Sequence, residues 1–172
     1  MKRLLSNGLM LAGILSIPVA VTNTELPGAA AEYRNDPRLE SLKRFFQESD
    51  CPARELSAEF LRAADRHNLD WRLLPSISLV ESGGGRVTTN NNLFGWDGGR
   101  AIFTSVRAGI HDVASRLHSS RLYRDKDVDG ILRTYNPNAG YPAIVKSVMK
   151  RISPSKEVMI AARSYSSNRT TK

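Results

Sequence analysis

Residues 73–96, LLPSISLVESGGGRVTTNNNLFGW, constrain this chain more than any other stretch. Leu73, Leu74, Ile77 and Val80 recur at helical spacing, which predicts a helix with an apolar face. Glu81 and Ser82 follow, then Gly83, Gly84 and Gly85. A helix does not run easily through three glycines: each costs backbone entropy, and glycine suits the left-handed geometry that ends helices. Glu81 is therefore expected at a helix C-terminus, where the macrodipole is negative and an anion is poorly placed. Partial burial at that point adds desolvation, and both effects disfavour ionisation. A carboxyl that keeps its proton near neutral pH is what a general acid needs.

The segment beyond the glycines brings amides and aromatics together: Asn90, Asn91, Asn92, Phe94 and Trp96. Amide groups and aromatic faces suit sugars, which offer hydroxyls on their rims and C–H groups on their faces. Asn92, and with it Asn91, is expected to be a substrate-binding amide. Phe94 is expected to be buried and Trp96 to line a cleft. Ser82 either hydrogen-bonds Glu81 or caps the helix end. Residues 86–89 carry a weak strand signal, Asp97-Gly98-Gly99 is a turn, and residues 101–103 could pair back. That pattern predicts a short β-hairpin flanking the cleft.

Elsewhere the periodicity is helical and the fold class is mainly α. Asp36 and Pro37 open a helix carrying Leu39, Leu42, Phe45 and Phe46, which stops at Asp50-Cys51-Pro52. Ser57 is placed to cap the next, with Phe60, Leu61 and Ala64 on its apolar face, and Asp70 to cap the helix that leads to Glu81. Ser105 opens a helix with Val106, Ile110, Val113 and Leu117. Asp127 opens one with Val128, Ile131, Leu132 and Tyr135, stopped by Asn136-Pro137. Tyr141-Pro142 starts a last helix whose expected core face is Ile144, Val145, Val148, Met149 and Ile152. With 172 residues the chain suits one domain. The expected organisation is a signal segment at 1–31, a linker at 32–38, the helical domain at 39–154 and a basic tail at 155–172.

Three segments in this order, LVESGGG, NNNLFGW and RTYNPNAGY, resemble the lysozyme-like superfamily of peptidoglycan glycosidases. The glucosaminidase domains, the mannosyl-glycoprotein endo-β-N-acetylglucosaminidase-like group, are the nearer match, since they carry an ESG turn followed by an NNLFG-type segment. The soluble lytic transglycosylases are more distant and follow their Glu-Ser with a Gly-Leu-Met-Gln segment that is absent here. The resemblance implies a lysozyme-like helical domain that cuts β-1,4 bonds between N-acetylated sugars, with Glu81 as general acid. It places Tyr135 near Glu81, with its hydroxyl orienting the carboxyl or the substrate's N-acetyl group. Asn136 either assists there or caps the turn before Pro137. No second carboxylate stands out, because Asp97 reads as a turn residue and Asp112 as solvated. Some members of the superfamily work with a single essential Glu and use the substrate's own N-acetyl group, a known exception to the two-carboxylate scheme. A transglycosylase, or a sugar-binding module without catalysis, remains open on these residues.

The N-terminus has a basic Met1-Lys2-Arg3, an apolar run over residues 9–21 and a candidate Ala29-x-Ala31 cleavage site, which together predict export and no membrane anchor after cleavage. Cys51 is the only cysteine, so the chain has no internal disulfide and no thiol-based zinc site. It carries no activating motif, which argues against a cysteine peptidase. His111 and His118 are seven apart, whereas helical metal ligands sit four apart, so both read as solvated, as does His67. No metal or cofactor is expected, and a monomer is.

Net charge is +8. A basic exported protein is drawn to an anionic polymer, and peptidoglycan glycan strands in the cell wall are the expected partner. No nucleic-acid motif is present, and the signal-like start argues against that polymer. From Lys146 onward, Lys150, Arg151, Lys156, Arg163, Arg169 and Lys172 face only Glu157. Retention on whole walls should therefore weaken as salt rises, because at ~0.15 M exposed charges reach only roughly 8 Å. Pull-down across a salt series checks this, and retention indifferent to salt would remove the electrostatic contribution.

Overall fold

The structure, a computed structural model, describes residues 27–152. Most of the expected signal segment and all of the basic tail lie outside them. The order is α1 (Pro27–Glu32), α2 (Pro37–Glu48), a 3-10 turn (Pro52–Leu56), α3 (Ser57–Arg66), α4 (Leu73–Ser82), α5 (Val106–Ser119), α6 (Val128–Tyr135) and α7 (Tyr141–Arg151). The chain is mainly helical, as expected, and no strand occurs among the described residues. No helix there is long and apolar enough to cross a membrane.

Several helices begin where their polar residues dictate. The Asp36 carboxylate accepts from the Arg38 backbone N–H at 2.8 Å with Pro37 as first helical residue. Ser105 does the same for Ala108 at 3.0 Å and Asp127 for Gly130 at 2.8 Å. Two expected caps are not made. The 3-10 turn runs straight into α3, so the Ser57 hydroxyl donates backwards to the Arg54 carbonyl at 2.6 Å. Asp70 accepts from the Arg72 N–H at 2.9 Å, a turn just ahead of α4 rather than a cap on it. Pro75 lies in the first turn of α4, where a missing N–H costs nothing.

The core is built around α4. Leu73, Leu74 and Ile77 are fully buried, and α4 packs against α3 and α7. A run of rings joins α2, α3 and the loop after α4: Phe46 and Phe60 have centroids 5.4 Å apart, and Phe60 meets Phe94 edge-on at 6.4 Å. Helix α5 contributes Ile110, Val113 and Leu117, and α7 contributes Val145, Val148 and Met149. Ile144, expected in that last face, is 52% exposed. At roughly 100° per residue it falls to one side of the stripe formed by Tyr141, Val145, Val148 and Ile152.

Residues 32–38 are not a linker. Tyr33 is buried, its hydroxyl donates to Asp65 at 3.0 Å, and Arg38 pairs with the same carboxylate at 2.7 Å. One aromatic and a shared acid are enough to fasten this polar stretch to α3. His111, read as solvated, lies 3.0 Å from Glu59, a fully buried carboxylate on α3. Arg107 approaches the same carboxylate at 3.0 Å and Arg62 at 3.6 Å. A buried charge survives only when so compensated, and here the compensation ties α3 to α5.

Gly84 is where the fold has least slack. Its φ is +64°, and a Cβ there would lie 2.7 Å from the Cys51 sulfur and 2.8 Å from its Cβ. Gly84→Ala should lower stability by roughly 2–4 kcal/mol, combining left-handed strain with overpacking. Denaturant unfolding measures it, and an unchanged midpoint would show that this contact yields without cost.

Candidate active site

Helix α4 ends as its glycines require. Gly83 (φ +63°) donates to the Leu79 carbonyl at 3.1 Å, and Gly84 donates to that of Ser78 at 3.0 Å. Ser82 settles its two readings as the cap. Its buried hydroxyl donates to the Ser78 carbonyl at 3.0 Å and accepts from the Gly85 N–H at 3.1 Å. It stitches the glycine turn to the helix it terminates and makes no bond to Glu81.

Glu81 occupies the last turn of α4 and is exposed. The desolvation expected of it is absent, because the glycine turn leaves one side of the helix end open. One carboxyl oxygen is nonetheless held, and the other has a close neighbour. Oε1 accepts from the Tyr141 hydroxyl at 2.7 Å. Oε2 lies against Gly95, where an added Cβ would come within 2.8 Å of it. Gly95 has φ +59°, a left-handed geometry that favours glycine, and a side chain there would displace the carboxylate.

Tyr141, rather than Tyr135, is the residue that orients the carboxyl. Tyr135 ends α6, and its hydroxyl donates to the Phe94 carbonyl. Its ring stacks on that of Tyr141, centroids 6.0 Å apart and planes within 6°. The turn between them is set by two asparagines. The Asn136 side chain accepts from the Asn138 N–H at 3.0 Å, and the Asn138 side chain from Gly140 at 2.9 Å. Asn136 is thus a turn cap and has no bond to Glu81. That tight reversal starts α7 at Tyr141, directly beside the end of α4. The signal was present in the Tyr-x5-Tyr spacing of RTYNPNAGY, but spacing does not say which hydroxyl reaches the acid.

Trp96 extends the aromatic row. It meets Tyr135 edge-on at 5.6 Å and Tyr123 at 5.9 Å, and the Arg116 guanidinium lies 5.7 Å from its ring centroid. Phe94 is fully buried, as expected, and Trp96 is half-buried beside Tyr135.

The expected hairpin is replaced by a loop held by asparagine side chains. Asn92, expected to bind substrate, is 5% exposed and turned inward. Its Oδ1 accepts from the N–H groups of Phe94 (3.3 Å) and Trp96 (3.0 Å). Its Nδ2 donates to the carbonyls of Trp96 (3.0 Å) and Ala101 (3.3 Å). With four bonds made, no capacity is left for a ligand. Asn91 donates to the Phe103 carbonyl at 2.9 Å, while one backbone bond joins Phe103 to Asn90 at 3.0 Å. These amides do the work of a strand ladder, which is why residues 86–89 and 101–103 need not pair as strands. Asp97 begins a self-contained turn, paired with Arg100 at 2.7 Å, and that guanidinium holds its carboxyl below the usual range. Asp112 pairs with Arg116 at 2.9 Å. Among the described residues no group of three or more His, Cys, Asp or Glu is placed to hold a metal ion.

The arrangement is a solvent-facing carboxyl, one oxygen fixed by a buried phenol, beside a wall of aromatic rings. It can present or accept a proton at a defined position. Compared with known proteins, the chain matches no family model, no curated protein and no solved structure.

Burial pushes the phenols of Tyr33, Tyr135 and Tyr141 far above the ordinary tyrosine range. For Tyr141 the hydrogen bond to Glu81 and then the nearby negative charge add to this. Such hydroxyls hold their protons more tightly folded than unfolded. Their contribution to stability is full below the ordinary pKa of about 10 and is lost as pH climbs above it toward the raised folded value. Alkaline titration followed at the phenolate band should show these three staying protonated until the chain unfolds. Five tyrosines titrating together near pH ~10 would contradict it.

Proposed function

We propose that this protein is an exported glycosidase of lysozyme-like fold that cleaves β-1,4 bonds between N-acetylated sugars in peptidoglycan. The observation that carries the reading is the Glu81 carboxyl at the open end of α4, with Tyr141 on one oxygen and Gly95 against the other. The mainly helical fold, the order of the three motif segments and the basic balance of the chain support it.

In this mechanism Glu81 gives its proton to the glycosidic oxygen as the C–O bond breaks. The carbonyl oxygen of the substrate's own N-acetyl group closes on the anomeric carbon, replacing the second carboxylate of the common scheme. Glu81, now a carboxylate, takes a proton from water, and that water opens the cyclic intermediate to leave a reducing end. Tyr141 keeps its proton and so remains a donor to Oε1 throughout, holding the carboxyl in one rotamer. Trp96, packed on Tyr135, offers a ring to the C–H face of a sugar.

Glu81→Gln should keep the fold and reduce wall cleavage by ~10²–10⁴, the usual worth of a general acid. Tyr141→Phe and Gly95→Ala should each lower the turnover rate, because both act on the position of the same carboxyl. Loss of turbidity in a wall suspension reads all three. Wild-type rates in Glu81→Gln would move the acid elsewhere, and an inactive wild type would leave a sugar-binding module. Released fragments should be reduced by borohydride and carry N-acetylglucosamine at the reducing end. Fragments that resist reduction would instead indicate 1,6-anhydro ends and transglycosylation.

A further inference from the structure

A concavity lies beside the glycine turn, with a volume of about 450 Å³, within the size range of small-molecule sites. Gly85 is part of its wall, but Glu81, Gly95, Trp96, Tyr135 and Tyr141 are not. Leu56, Leu93 and Val106 give it apolar surface, and Thr88, Asn90 and Asn91 give it polar surface. Among the described residues no charged side chain lines it.

We propose that this cavity is a separate binding site for a neutral N-acetylated sugar. Uncharged walls make a carboxylate, phosphate or ammonium group costly to enclose, since none would find a counter-charge. Purely apolar ligands would leave the amides unused. An acetamido group matches what remains: a methyl for the aliphatic wall, and a donor and acceptor for carboxamides. Asn91 spends its Nδ2 on the Phe103 carbonyl, while its Oδ1 makes no bond to any described residue. The Asn90 side chain is exposed and has no partner among the described residues. Thr88 adds a short polar residue to the same wall. Both asparagines are held at left-handed φ, +57° and +56°, a cost that the loop bears beside this cavity.

The inference rests on the glycosidase reading only for choosing a sugar as carrier of the acetamido group. The test is an amide and methyl NMR titration of the full chain with N-acetylglucosamine, glucosamine or glucose. N-acetylglucosamine alone should shift the Asn90 and Asn91 side-chain amides and the Leu56 and Val106 methyls. Asn90→Gly, which keeps the left-handed backbone and removes the carboxamide, should weaken binding roughly three- to tenfold. Shifts confined to Glu81, Trp96 and Tyr141, equal shifts with glucosamine, or no shifts at all would overturn the proposal. Wall cleavage is scored separately. Cleavage without cavity shifts sinks this site alone, while cavity shifts without cleavage sink the glycosidase reading and keep the site.

Discussion

The glycine turn that ends α4 is the constraint on which the rest depends. Gly83, Gly84 and Gly85 all sit at positive φ, and Gly84 is pressed onto Cys51, the residue just ahead of the 3-10 turn. Any other residue would add roughly 1–2 kcal/mol of left-handed strain at each position, before counting the contact with Cys51. The Ala53 N–H donates to the Gly84 carbonyl at 3.0 Å, so the turn also anchors the 3-10 segment. Because α4 is buried over most of its length and must stop there, its last carboxylate emerges where core gives way to solvent. The loop over residues 90–103 and the start of α7 then close around that point from two sides.

What they bring is a set of phenols that cannot ionise in the ordinary range. Burial raises Tyr135 and Tyr141, and the charge on Glu81 raises them further. The two tyrosines divide their tasks by direction. One hydroxyl satisfies a loop carbonyl that would otherwise be orphaned, and the other satisfies the acid. Since the rings are stacked, moving either would disturb the partner of the other.

Much of this was legible in the residues. Apolar periodicity placed the helices, and Asp36, Ser105 and Asp127 marked three of their starts because a side-chain oxygen has few better options than an open helix end. The three glycines placed Glu81. The rest required tertiary information. Ser57 and Asp70 failed as caps because preceding turns had already used them. Tyr135 and Tyr141 are the same residue type six positions apart, and only the path of the Asn136–Asn138 turn decides which one faces Glu81. Asn92 looks like a binding amide in sequence because a carboxamide that organises a loop and one that binds a ligand have the same chemistry. Glu59 gave no signal at all, since its partners come from one turn further along α3 and from a distant helix.

The way Asn92 ties its loop has a consequence for what the chain can become. Trp96 and Ala101 are both bound to that one side chain, and the Asp97–Arg100 turn between them closes on itself. Added Cβ atoms at Gly98 and Gly99 would meet nothing within 4 Å. The tip reaches back toward Glu81 through the Gly99 N–H, which donates to the Gly95 carbonyl at 2.9 Å. Evolution or engineering could lengthen it at Gly98 and keep that bond, and with it the place of Gly95 against the acid, since surface loops absorb insertions where a rigid base holds their ends.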